Sequence, residues 1–95
     1  MSDEMLVRDM ATTEREFRHG LDFAFPQGVT ARDGILQVWY AGAEMEITLA
    51  PLPPRVIALL RLPRLEVRVR FTAGTAVQQQ AMLTRMDRAL QRGGG

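Results

Sequence analysis

The sequence predicts an α+β fold, a four-stranded and mainly antiparallel sheet with a C-terminal helix packed on one face. Three observations carry this. Leu65, Val67, Val69 and Phe71 alternate strictly with Arg64, Glu66, Arg68 and Arg70, the two-residue period of a strand with one dry and one wet face. Thr75-Ala76-Val77-Gln78 reads as a capping box, and Val77, Ala81, Met82, Met86, Ala89 and Leu90 follow it as an apolar stripe at helical spacing. Upstream, the tight-turn dipeptides Asp33-Gly34 and Ala41-Gly42 separate apolar runs of strand character.

Taken in chain order, residues 1–13 mix Met5, Leu6, Val7 and Met10 with charges and show no sustained period, so a poorly ordered or short helical leader is expected. Over 14–25, Phe17, His19, Leu21, Phe23 and Phe25 fall on alternate positions, which predicts a half-buried strand stopped by Pro26-Gln27-Gly28. Ile35–Tyr40 is rich in β-branched and aromatic residues and predicts a second strand, with Val29-Thr30-Ala31 able to pair back across Asp33-Gly34. Met45, Ile47 and Leu49 alternate with Glu44, Glu46 and Thr48, giving a third strand over 44–50. Pro51-Leu52-Pro53-Pro54 then ends the strand. Because a helix tolerates proline in its first turn, Pro54 is expected to open a short helix over 54–60 that Pro63 closes. The Arg-rich strand occupies 64–72 and the capped helix 76–92, where Arg85, Arg88 and Arg92 complement the negative end of the helix dipole. Residues 14–92 are thus expected to form one domain, with 93–95 as a flexible glycine tail.

Composition removes several classes of function. The chain has 95 residues, 46% of them hydrophobic and 24% charged, an ordinary globular balance. It has no cysteine and one histidine, which excludes disulfides, thiolate chemistry and Cys- or His-pair metal sites, and no metal or other cofactor is expected. The first residues are acidic where a secretory signal is basic, and no apolar run reaches the roughly 18 residues of a membrane helix. A cytoplasmic protein without a membrane partner is therefore expected. All twelve Lys+Arg residues are arginine and asparagine is absent, as in GC-rich bacterial coding. Charge is polarised along the chain. Residues 1–46 hold nine acids and four Arg (net −5), and residues 47–95 hold two acids and eight Arg (net +6), which together give the overall +1.

Each candidate site has a structural alternative. His19 with Glu16 or Asp22 is the only general-base arrangement, but on a strand residues three apart face opposite ways, so His19 reads as a structural or surface residue. Glu44 and Glu46 share a strand face and suit a cation or, more simply, cross-strand ion pairs with Arg68 or Arg70. Arg64, Arg68 and Arg70, preceded by Arg55 and Arg61, form a row that suits nucleic-acid phosphates or a partner surface, with Trp39 or Tyr40 available for stacking, or more simply a solvated or ion-paired face. As a nucleic-acid signal the row lacks the aromatic signature of sheet-based RNA binders. Pro51–Pro54 has PxxP spacing, Met82 and Met86 could form an adaptable surface, and the glycine tail could enter a groove, yet each is explained as turn, core and helix stop.

The expected function is a small non-enzymatic domain that self-associates or binds another protein through its sheet. That reading rests on the charge split and on apolar surface, including Leu36, Val38 and Tyr40, that one helix would leave uncovered. A nucleic-acid module using Arg64, Arg68 and Arg70 ranks second, and a small-ligand carrier or enzyme with a pocket near His19 third.

Overall fold

The structure, a computed structural model, describes residues 5–93, with side chains through Gln91. Along the chain run β1 (Met5–Met10), α1 (Glu14–Ala24), β2 (Val29–Arg32), β3 (Ile35–Tyr40), β4 (Ala43–Ile57), β5 (Leu60–Ala73) and α2 (Ala76–Gly93). The α+β class and the antiparallel sheet agree with the sequence reading, but the sheet has five strands, in the order β1-β5-β4-β3-β2, and two helices cover it.

The segment 14–25 is a helix where a strand was expected. Thr13 caps it: the Glu16 N–H donates to the Thr13 hydroxyl at 3.1 Å and the Thr13 N–H donates to the Glu16 carboxylate at 3.3 Å, a reciprocal capping box. Phe17, Leu21 and Phe25 satisfy a two-residue and a four-residue period equally well, and the cap decides between them. His19 and Phe23, which only the strand pattern would bury, are exposed, whereas Gly20 and Ala24 are buried. At Gly20 the two helices meet closely, since a Cβ there would stand 2.9 Å from Leu90 Cδ2.

Residues 5–10 of the expected leader form the edge strand β1, paired antiparallel with β5. Helix α1 then carries the chain beneath the sheet from the β1 edge to the β2 edge. The short helix expected over 54–60 is absent. Those residues continue β4 and turn back into β5, because Arg55, Val56 and Ile57 find partners in Leu62, Arg61 and Leu60 that the local sequence does not reveal. The capped helix begins as predicted, with the Gln78 N–H donating to Thr75 Oγ1 at 3.2 Å and the Thr75 N–H to Gln78 Oε1 at 2.8 Å. Its buried face is Met82, Leu83, Met86 and Ala89, with Leu90 half-buried. Val77 and Ala81 are exposed; at about 100° per residue they lie roughly 140° and 100° round from Met82. Gly94 and Gly95 of the expected tail lie outside the described residues, as does the side chain of Arg92.

Antiparallel register sets the core in rows. Leu6, Val69, Ile47, Leu36 and Ala31 are consecutive partners across all five strands on the helix-covered side. Leu36 and Val38 are buried beneath the helices and Tyr40 half-buried, so the uncovered surface expected around them does not exist. Two helices, not one, cover that face. Tyr40 meets Phe25 edge-on with ring centroids 5.5 Å apart, and Arg85 lies 4.9 Å over the Tyr40 ring while its Nε donates to the Ala24 carbonyl at 2.6 Å.

Candidate docking surface

Two surfaces remain open on the sheet, its outer face and the end of the β4–β5 hairpin. The outer face displays the predicted arginine row. Arg70 donates to Glu46 at 2.7 Å, the cross-strand pair the sequence suggested. Arg68 donates to Glu66 at 2.8 Å on its own strand, and Arg64 reaches Asp9 of β1 at 2.5 Å. Asp9 and Glu66 are direct partners across β1 and β5, and two carboxylates facing each other repel. Arg64 and Arg68 relieve that repulsion from either side. Hydrogen bonding from Arg64, with the nearby Arg64 and Arg55 charges, holds the Asp9 carboxyl below its usual range despite partial desolvation, and Asp9 in turn raises Arg64. Glu44 accepts from the Thr72 hydroxyl at 2.7 Å. The outer face of β1, β4 and β5 thus carries Asp9, Glu44, Glu46 and Glu66 against Arg64, Arg68 and Arg70. Four carboxylates meet three guanidiniums, so the row is neutralised where it stands.

The other residues singled out from the sequence are distributed as follows. His19 is exposed on α1 beside an open cleft lined by Glu14, Arg15, Arg18, Asp22 and Leu90. Met82 and Met86 are core. Trp39 is 63% exposed on the outer face, opposite Glu44. Among the described residues no buried polar or charged side chain occurs, no buried polar side-chain atom lacks a partner, and no three His, Asp or Glu side chains cluster to hold a metal ion. No helix there is long and apolar enough to cross a membrane.

The feature that sequence reasoning missed is the arm. Beyond Pro51 opposite Leu65, strands β4 and β5 leave the body as a two-stranded ribbon: Leu52 faces Arg64, a bulge skips Pro53 and Pro54, and then Arg55 faces Leu62, Val56 faces Arg61 and Ile57 faces Leu60. The Ala58-Leu59 turn closes it, with Ala58 at φ +53°. The molecule measures 45 Å along its longest axis and 25 Å along the other two, and six residues at about 3.3 Å each account for the 20 Å difference. Alternation places Arg55, Leu62, Ile57 and Leu60 on one side of the ribbon and Val56 and Arg61 on the other. Val56, Ile57, Leu60 and Leu62 are 37–66% exposed and Leu59 is 100% exposed. No acidic residue occurs between Glu46 and Glu66. Arg55 and Arg61 make no salt bridge among the described residues.

Comparison with models of known protein families, with characterised proteins and with solved structures gave no match.

Proposed function

We propose that this chain is a small non-enzymatic docking domain whose helices and sheet hold the β4–β5 arm rigidly, and that the arm engages a macromolecular partner. The observation that carries the reading is the placement of apolar surface. The centre of the helix-covered face is filled and the outer face pairs its arginines with carboxylates; Met5, Val7, Phe23, Trp39 and Val77 are also exposed, but the arm gathers five large exposed aliphatic residues within one ribbon end. Their exposures amount to about three whole side chains, and burying those would contribute roughly 5–9 kcal/mol before association costs. Those costs are of order 4–15 kcal/mol, so the tip needs its two unpaired arginines to bind with useful affinity.

This narrows the expectation of binding through the sheet to the sheet's one projecting part. It also orders the other expectations. Arm-to-arm pairing of two copies would set Arg55 and Arg61 against their equivalents, which favours a partner with acidic or anionic groups over a second arm. A nucleic-acid role for Arg64, Arg68 and Arg70 loses support from their carboxylate partners.

A photo-crosslinking residue placed at Leu59 and, separately, at Gln37 on the outer face tests the reading in cells. Crosslinked adducts at Leu59 and none at Gln37 are expected. Adducts at Gln37 alone, or at neither, would refute the arm as the docking element.

A further inference from the structure

We infer that the arm docks end-on into an anionic lipid surface, with its aliphatic tip in the interfacial region and Arg55 and Arg61 among the headgroup phosphates. The inference rests on the docking reading above and names its partner. Ile57, Ala58, Leu59 and Leu60 are four consecutive apolar residues at the far end of the ribbon, and Leu59, at the turn itself, is the most exposed of the large hydrophobic residues described. A partner recess would meet one side of a ribbon; this ribbon is apolar at its point.

Charge placement agrees. Arg61 lies one rung and Arg55 two rungs below the Ile57–Leu60 pair at the tip, on opposite sides of the ribbon. A planar anionic surface approached end-on therefore meets both guanidiniums at once, whatever the rotation about the arm axis. From the Val56–Arg61 rung to the turn is two to three residues, about 7–10 Å, which matches the roughly 5–10 Å depth of the headgroup and acyl boundary. Long arginine side chains keep their heads in the polar layer while their stems follow the apolar tip. The absence of any acid from residue 47 to residue 65 removes the repulsion that such a surface would otherwise feel. Docking of this kind needs no spanning segment, so the lack of a membrane-length run in the sequence does not bear on it.

Vesicles of phosphatidylcholine with about a third phosphatidylglycerol, against phosphatidylcholine alone, provide the probe, since anionic lipid contributes about fivefold in affinity per arginine near the surface. In a Trp39→Phe background, Leu59→Trp reports the tip. Addition of the anionic vesicles is expected to shift its emission to the blue and expose it to quenching by brominated acyl chains, whereas native Trp39 in the unsubstituted chain stays unquenched. In flotation, Arg55→Glu with Arg61→Glu should reduce binding by at least about twenty-fold, and Leu59→Asp with Leu60→Asp should abolish it. Both pairs are exposed, and a single cooperative melting transition with a loss below about 2 kcal/mol verifies the fold.

No flotation of the wild-type chain at low salt, or flotation that survives both pairs of substitutions, overturns the lipid assignment. Adducts at Leu59 that are protein, or concentration-dependent self-association lost in the Leu59→Asp/Leu60→Asp variant, combined with no vesicle binding, overturn it while leaving the arm as a docking element. Absence of adducts at Leu59 removes both readings together.

Discussion

Replacing Leu59 and Leu60 together by Asp should lower the melting temperature only modestly, although it removes two of the largest aliphatic side chains in a 95-residue protein. Leu59 is 100% exposed and contributes no burial, and Leu60 retains about a third of its surface out of water. At roughly 1.5–3 kcal/mol for a fully buried leucine, the hydrophobic loss is at most about 1 kcal/mol. Asp is also a poor strand residue, at a cost of up to about 1 kcal/mol, while Arg55 and Arg61 nearby return a few tenths. The net change is about 1 kcal/mol and less than about 2, at about 4–8 °C per kcal/mol in a domain of this size. Val69→Asp is the matched control. Val69 is 1% exposed between Leu6 and Ile47, and a carboxyl at that position costs several kcal/mol whether charged or protonated, comparable with the roughly 5–15 kcal/mol by which small domains are stable. Circular dichroism melts of the two variants at two protein concentrations tenfold apart decide the matter. A loss above about 3 kcal/mol for the arm variant would mean that the tip is packed against something, and a free arm would then be refuted.

Three further outcomes follow from local chemistry. Asp9 is held below its ordinary pKa by Arg64, so its contribution is present above the unfolded carboxylate value of about 3.9 and is lost as pH falls through the lower folded value; Asp9→Asn should flatten this part of the acid-unfolding curve. Thr13→Ala removes the cap of α1 and should cost about 0.5–2 kcal/mol in urea unfolding, whereas a neutral result would restore the strand reading of 14–25. Ala58 holds φ +53°, a left-handed conformation that costs a side-chain-bearing residue about 1 kcal/mol or more. Ala58→Gly should slow amide exchange at the arm's hydrogen-bonded positions without shifting the global transition, and faster exchange there would contradict the turn geometry.

How far each element could be read depended on whether its information was local. Strand β5 and the cap of α2 carry their own signatures, a strict alternation and a Thr-x-x-Gln box, and both were legible. Helix α1 was ambiguous because Phe17, Leu21 and Phe25 are common to both periods; the Thr13–Glu16 capping box, present in the sequence, was the signal that separates them. Strand β1 shows no alternation because Arg8, on the helix-covered side opposite Val67, is paired with Asp87 of α2, while Met5 and Val7 face solvent. A charge on the inner face and apolar residues on the outer invert the usual pattern. Of the arginine row, the Arg70–Glu46 pair was anticipated; Arg68 instead takes Glu66 two residues away on its own strand, and Arg64 takes Asp9 from 55 residues away.

The arm was illegible for a different reason. Its turn is Ala58-Leu59, with no Gly, Asn or Asp to mark it, and Pro54-Arg55 followed by the five apolar residues Val56 to Leu60 has the composition of a helix start. Only pairing with β5 makes those residues a strand. The feature most relevant to function is therefore the one whose structure depends most on contacts distant in sequence.

The prolines at 51, 53, 54 and 63 have a further consequence for a chain that exposes so many aliphatic residues on a ribbon. Beyond the body, both outer edges of β4 and β5 are unaccompanied, and such edges recruit further strands into fibres. Each proline withholds an amide donor, and the bulge at Pro53-Pro54 breaks the straight run of backbone that a stacking copy would copy. The same four residues that obscured the strand in the sequence act as gatekeepers against fibre growth. Replacing them with Thr or Val should restore the missing amide donors and raise the tendency of the arm to seed fibres.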